Sequence, residues 1–350
     1  MDGIFLHCGW RTGGTWLWGR LRAQPGITGF YEPLHEALPS ITAPQIGMIK
    51  SDNWQSRHTE IGKPYFNEFL SLMRRFNNGV PGAKSEFSFD RYFLSPNDRQ
   101  ADLFRYVEGL CRQARRKHRL PVVKFARSVG RLPWFRAQFP DVTHVMVKRQ
   151  PWMQFASSWR CFVNGQNTYF LATPFVVLER NYMQPEVAAL AQALELPIRR
   201  RLDEPVTSSL ARWSETVSTY SPELLYRASF ALWLLHAVHG YRAAHAVIDG
   251  DDDPSRIARQ ITAVAGRQFD LSNQGREPAS ALRYDVAAGE LTVSDVRQCH
   301  VRAIAALAGR IDPAVVPFLV ENLGRAESAA AADLAAAKLQ FIARPTERVA

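Results

Sequence analysis

Two arginines and a serine are the side chains in this chain best suited to gripping anions. Arg11 lies inside the glycine-rich stretch "LHCGWRTGGTW" (Leu6–Trp16), and Arg149 precedes Ser157 by eight residues in "HVMVKRQPWMQFASSW" (His144–Trp159). Each stretch leads from an apolar segment through a turn into helix-like sequence. Such a turn aims backbone N–H groups at an anion, and the planar fork of an arginine suits oxyanions. A cation at a helix start opposes the helix dipole, which argues against chance placement of Arg11. Arg149 falls at the carboxyl end of a strand, where open α/β sheets bind ligands. Ser157 falls on the first or second turn of the following helix, and an arginine with a hydroxyl so placed grips phosphate. Two such grips on two strand ends predict a ligand with phosphate groups at both ends. The competing structural reading of the first stretch is a glycine turn that only joins a strand to a helix.

Gly9 and Gly14 have the spacing of a nucleotide-hydrolysing P-loop, but Thr15 and Trp16 stand where that loop needs Lys and Ser/Thr. A kinase or ATPase would lack both its phosphate lysine and its magnesium hydroxyl.

Four apolar runs fit the buried strands that would carry these turns: Ile4–Cys8, Pro121–Phe125, Val142–Val147 and Ala246–Asp249. "GFY" before Glu32 reads as a further strand edge. Helical periodicity runs over Asp98–His118 and Ser221–Ala244, the latter opened by Ser221-Pro222. The basic end of the first, "RQARRKHR", suits a helix C-terminus. Alternating strands and helices predict an α/β fold with a central parallel sheet flanked by helices. Residues 40–95, rich in Pro, Gly, Asn and Ser, read as an insertion or lid within a domain spanning 1–290. Residues 291–350 read as a helical C-terminal extension, an appendage or an oligomerisation surface.

A chain of 350 residues with 46% hydrophobic residues can build a sizeable core, and its formal net charge of +10 favours an anionic partner. Cys8, Cys111, Cys161 and Cys299 show no metal spacing and read as reduced thiols. The apolar stretch Ser229–Ile248 carries Arg242 and three histidines and reads as a core helix, not a membrane span. With no signal-peptide pattern at the start, a cytoplasmic protein without a metal site is expected.

"RTGGTW" (Arg11–Trp16) resembles the 5′-phosphosulfate loop of sulfotransferases that use 3′-phosphoadenosine 5′-phosphosulfate, with its pattern [KR]-[ST]-G-[TGS]-T-x. Arg149 and Ser157 resemble that family's 3′-phosphate site. "VVKFARSVGRLPWFRAQFPDVTHVMVKR" is similar to the segment leading into it. The resemblance covers most of residues 3–160 and implies a P-loop-like three-layer fold and sulfuryl transfer without magnesium. It implies that Arg11 steadies the leaving phosphate, that Thr12, Gly13, Gly14 and Thr15 hold the 5′-phosphate, and that Trp16 stacks on adenine. Lys124, with Arg127 a weaker candidate, would polarise the sulfuryl oxygens. Where the family's cytosolic branch has a base histidine two residues after a lysine, this chain has Lys124, Phe125 and Ala126, and no C-terminal Arg-Lys-Gly stretch is found. The carbohydrate branch and many bacterial relatives instead place a carboxylate base after the first helix. That implies Glu32 in "FYEPLHE", with His35 and Glu36 as rivals. The implied acceptor is a hydroxyl on a carbohydrate or small metabolite, and alanine and arginine abundance suggests a GC-rich bacterial source. Two other expectations stay open: a kinase with a degenerate P-loop, and a basic nucleic-acid-binding protein, though no nucleic-acid-binding motif is found.

Overall fold

The computed structural model describes residues 3–49, 62–73, 78–201, 203–271 and 291–343. Five strands form one sheet: β1 (Ile4–Cys8), β2 (Ile27–Tyr31), β3 (Leu120–Phe125), β4 (Thr143–Lys148) and β5 (Ala246–Asp249). Their order is β2-β3-β1-β4-β5 and every pairing is parallel. In register, Leu6 of β1 lies between Lys124 and Val145. β1 and β4 are buried along their whole length, which is why their sequences read as unbroken runs rather than alternations.

α1 (Gly14–Arg22) joins β1 to β2. α2 (Ala43–Met48) and α3 (Ala101–Arg115) precede β3, and α4 (Leu132–Gln138) links β3 to β4. Five helices separate β4 from β5: α5 (Pro151–Gly165), α6 (Tyr169–Arg180), α7 (Pro185–Ala193), α8 (Val206–Thr216) and α9 (Pro222–Gly240). α10 (Pro254–Ala265), α11 (Val293–Leu307) and α12 (Val316–Ala343) follow.

Alternate residues of β1 face opposite layers. Gly14 of α1 packs on Cys8, while the rings of Phe5 and Phe135 of α4 lie 5.9 Å apart on the other face. The sheet is thus sandwiched between helices in the expected three-layer α/β arrangement. α5 to α9 build a second apolar cluster beside it, and α11 and α12 join that cluster through Val296, Cys299, Leu307, Phe318 and Leu319. The C-terminal helices are therefore packed into the body of the protein. α11 starts where the sequence turns helical, with Thr292 and Asp295 forming a reciprocal capping box.

The described parts of 40–95 carry core residues. The Tyr65 ring lies 4.8 Å from that of Tyr31, Phe69 lies 5.5 Å from Phe30, and Phe89 and Tyr92 are fully buried. This segment packs against the β2 edge rather than standing off it. α9 stops at Gly240, short of the expected Ala244, because Gly240 closes on Val129 and a 3₁₀ turn, Tyr241–Ala243, leads into β5. The apolar stretch Ser229–Ile248 is thereby divided into helix, turn and strand. Among the described residues no helix is long and apolar enough to cross a membrane.

Candidate functional site

From β1 the chain leaves towards β2, and from its neighbour β4 it leaves towards β5. Connections departing in opposite directions open a crevice between the carboxyl ends of the two strands. The glycine loop fills one side of it. Thr12 donates its hydroxyl to the Gly9 carbonyl at 2.9 Å, and Gly13, at φ 84°, is the N-cap of α1 with no side-chain cap bond. No acidic residue lies in the first turn of α1, so no carboxylate of the helix itself opposes the positive end of its dipole. A β-carbon on Gly14 would overlap the Cys8 sulfur, so only glycine lets the helix begin here.

Arg11, Ser157 and Arg149 converge on this loop. Arg11 adopts φ 63°, donates Nε to the Ser157 hydroxyl at 3.0 Å, and sets its guanidinium 4.9 Å over the Phe170 ring. Arg149 donates Nη1 to the Arg11 carbonyl at 2.9 Å. Ser157 therefore serves Arg11 rather than Arg149, whose remaining face meets Asp251 at 2.7 and 3.1 Å.

A second cluster, of buried charges, adjoins the loop. Glu32, at φ 45°, accepts from Lys124 Nζ, from the Ala126 N–H at 2.8 Å and from Arg127 at 3.0 Å. Positive φ at a non-glycine residue is a strained state that clusters at functional sites. Burial pushes the Glu32 carboxyl up, but the Lys124 ammonium and Arg127 guanidinium outweigh it and hold the group below its ordinary value. Arg127 also holds Glu36 at 2.8 Å, and the Tyr169 hydroxyl bridges Arg127 and Glu36. Burial opposes the charge on Lys124, yet Glu32 raises its pKa above the usual value. The two clusters touch: Lys124 Cε passes 3.4 Å from where a Gly14 β-carbon would sit, and the Arg127 guanidinium lies 5.7 Å from the Trp10 ring.

His35 is partly exposed and accepts the Ala37 N–H on Nδ1 at 3.2 Å. That bond puts the proton of the neutral ring on Nε2 and engages the lone pair a base would use. Burial lowers its pKa first, Glu36 pulls it up, and Arg127 lowers it again. Trp16 is 6% exposed and packed in the core around the sheet. In this conformation it is a core residue, not an open face for a base; its apolar ring on the buried side of α1 accounts for that. The hydroxyl of Thr15 lies 3.2 Å from that of Tyr31.

Two participants, Asp251 and Tyr169, were not read from sequence, and Arg127, read there as a weaker candidate beside Lys124, is the central clamp. The acidic run "DGDDD" (249–253) directly after a strand was the available signal. The four cysteines are buried. Among the described residues no group of three or more His, Cys, Asp or Glu is placed to hold a metal ion.

The fold and site define an α/β protein with a glycine loop at its topological switch point. Comparison of the chain with protein-family models, curated proteins and solved structures gives no match.

Proposed function

We propose that the chain is a sulfotransferase, working in the cytoplasm, that passes the sulfuryl group of 3′-phosphoadenosine 5′-phosphosulfate to a hydroxyl of a carbohydrate or other small metabolite. The observation that carries this reading is the meeting of Arg11 and Arg149 at the uncapped start of α1, with Lys124 and Glu32 alongside. In this reading the turn from Thr12 to Thr15 holds the 5′-phosphate and Arg149 the 3′-phosphate. The acceptor oxygen bonds to sulfur as the bridging S–O bond breaks. The electron pair goes to the phosphate oxygen, where Arg11 and the helix dipole steady it. The acceptor proton goes to Glu32. Lys124 has two roles: in the structure it neutralises Glu32, and in the reaction it turns to the sulfuryl oxygens. That turn removes one of the two cations holding Glu32 acidic, so the carboxylate gains basicity when a base is needed.

The test is thermal unfolding with adenosine 3′,5′-bisphosphate, the spent donor, against ATP with magnesium. The bisphosphate without metal is expected to stabilise the protein, by about 2.7 kcal/mol at ~100 times its Kd. A response only to ATP with magnesium would point to the kinase reading. Salt-sensitive nucleic-acid binding without any nucleotide response would point to a nucleic-acid-binding protein.

A further inference from the structure

We propose that Asp251 is a specificity residue for the Arg149 subsite: a carboxylate of the chain itself fills that anion position, and a ligand enters only by exchanging with it. This rests on the donor-binding reading above. The two Asp251 oxygens take Nη2 of Arg149 at 2.7 Å and Nε at 3.1 Å. That two-bond face is the one a guanidinium offers to phosphate. The remaining nitrogen, Nη1, holds the Arg11 carbonyl at 2.9 Å and so keeps Arg149 against the glycine loop whatever occupies its other face. The Arg149 and Asp251 side chains are 9% and 13% exposed, unlike a solvent-screened surface pair.

The turn after β5 delivers the carboxylate. The Gly250 N–H donates to the Lys148 carbonyl at 2.7 Å, and the Asp251 N–H donates to Asp249 Oδ1 at 3.0 Å. Asp249 is itself held by Lys148 at 2.7 Å and Arg325 at 2.8 Å. Gly250 lies so close to the Thr12 carbonyl that a β-carbon there would overlap it. The neighbouring acids have other work: Asp252 pairs with Arg256 at 3.2 Å, and Asp253 caps α10 through the Ser255 N–H at 2.8 Å.

An incoming monoanion carries no more charge than the carboxylate it must displace. A phosphate monoester near neutral pH carries close to two charges and three acceptor oxygens, so it wins the exchange. Asp251 thereby sets a threshold that a 3′-phosphate passes and a 3′-hydroxyl or a monoanionic group does not. Its occupancy also lowers the apparent affinity, by the fraction of molecules in which Arg149 is already released.

The experiment is calorimetric titration of the full chain and its Asp251→Asn, Asp251→Ser and Asp252→Asn variants. Adenosine 3′,5′-bisphosphate and adenosine 5′-monophosphate are the probes. Both Asp251 variants are expected to bind the bisphosphate about tenfold tighter than the unmodified chain. Their affinity for the monophosphate is expected to stay within about twofold, and Asp252→Asn to match the unmodified chain for both probes. Bisphosphate binding that neither Asp251 variant strengthens, or that Asp252→Asn strengthens equally, overturns this inference alone. Absence of bisphosphate binding in all four proteins overturns the donor reading and this inference with it.

Discussion

Glu32→Gln tests both the stability and the chemistry of the buried charge cluster. The carboxylate has two cations and a backbone N–H on it. Arg127 keeps Glu36 and Tyr169 when Glu32 loses its charge, but Lys124 is left buried with the Tyr31 ring, 4.8 Å away, as its remaining described partner. Stranding a buried charge costs about 3–5 kcal/mol. The reverse change, Lys124→Gln, leaves Glu32 paired with Arg127 and the Ala126 N–H, and its cost is that of a charged hydrogen bond, about 1.5–3 kcal/mol. Glu32→Gln is therefore expected to be the more destabilising of the two, and the double variant to recover at least ~1 kcal/mol over Glu32→Gln alone. Urea unfolding at pH 7.5 measures this. The Glu32 carboxyl is depressed from an ordinary 4.5, so its contribution is complete above that pH and lost only as pH falls through the lower folded value. In sulfuryl-transfer assays the same variant is expected to keep bisphosphate binding and to turn over at least ~100-fold more slowly. His35→Ala is expected to lose much less. Lys124→Gln costing as much as Glu32→Gln, or strict additivity in the double variant, refutes the pairing argument. Near-normal turnover of Glu32→Gln with a dead His35→Ala moves the base to His35.

Arg149→Ala is expected to weaken adenosine 3′,5′-bisphosphate by about 1.5–3 kcal/mol and adenosine 5′-phosphosulfate much less, read by competition titration. Some loss for both follows from the bond between Arg149 and the Arg11 carbonyl, but equal losses would remove Arg149 from the 3′-phosphate. Behind β1 and β4, the ring of His7 joins the Ser128 hydroxyl at 2.7 Å to His144 at 3.0 Å, and His144 donates to the Phe139 carbonyl at 3.0 Å. Burial first, opposed by the Phe139 carbonyl and aided by His245 and Arg136, pushes His144 from 6.5 down to about 4. The unfolded chain then takes up this proton before the folded one. Stability from this group is complete above pH 6.5 and is lost towards about pH 4, at about 1.4 kcal/mol per pH unit. His144→Gln, whose amide can donate to Phe139 and accept from His7, is expected to flatten that acid slope in urea titrations between pH 7 and 4.5; an unchanged slope refutes the assignment.

β1, β3 and β4 were legible because burial on both faces leaves apolar runs with few interruptions, and β5, half buried at the sheet edge, showed as the short run Ala246–Asp249. β2 was glimpsed only as "GFY", because Thr28 and Gly29 interrupt its apolar run. Gly29 is required there: a β-carbon would come within 2.8 Å of Arg22 and 3.0 Å of the Trp18 indole nitrogen. Arg149 and Glu32 could be placed because each directly follows a strand, and Arg11 because it lies in the turn after β1. What sits on them could not, since the partners arrive from strand ends and helices far along the chain. Asp251 reaches Arg149 only through the β4–β5 pairing, and Tyr169 reaches Arg127 only through the fold of α6. Nothing in local periodicity encodes either contact. The seating of Ser157 on Arg11 likewise depends on how α5 approaches the glycine loop, not on the spacing that singled Ser157 out.

Three cations gathered here each have a carboxylate of the chain: Arg149 has Asp251, Lys124 has Glu32, and Arg127 has both Glu32 and Glu36. Arg11 donates to the Ser157 hydroxyl and lies over the Phe170 ring. Leaving several buried cations unpaired would cost more than a domain's stability allows, so a site of this kind must fold already neutralised. In the sulfotransferase reading, anion binding is then an exchange at Arg149 and Lys124. The start of α1, where the helix dipole favours negative charge, carries no carboxylate in its own first turn. On this logic the formal charge of +10 does not by itself measure the site's affinity for anions. In that reading, what matters is how readily Asp251 releases Arg149 and how readily Lys124 turns from Glu32, whose basicity rises as it does.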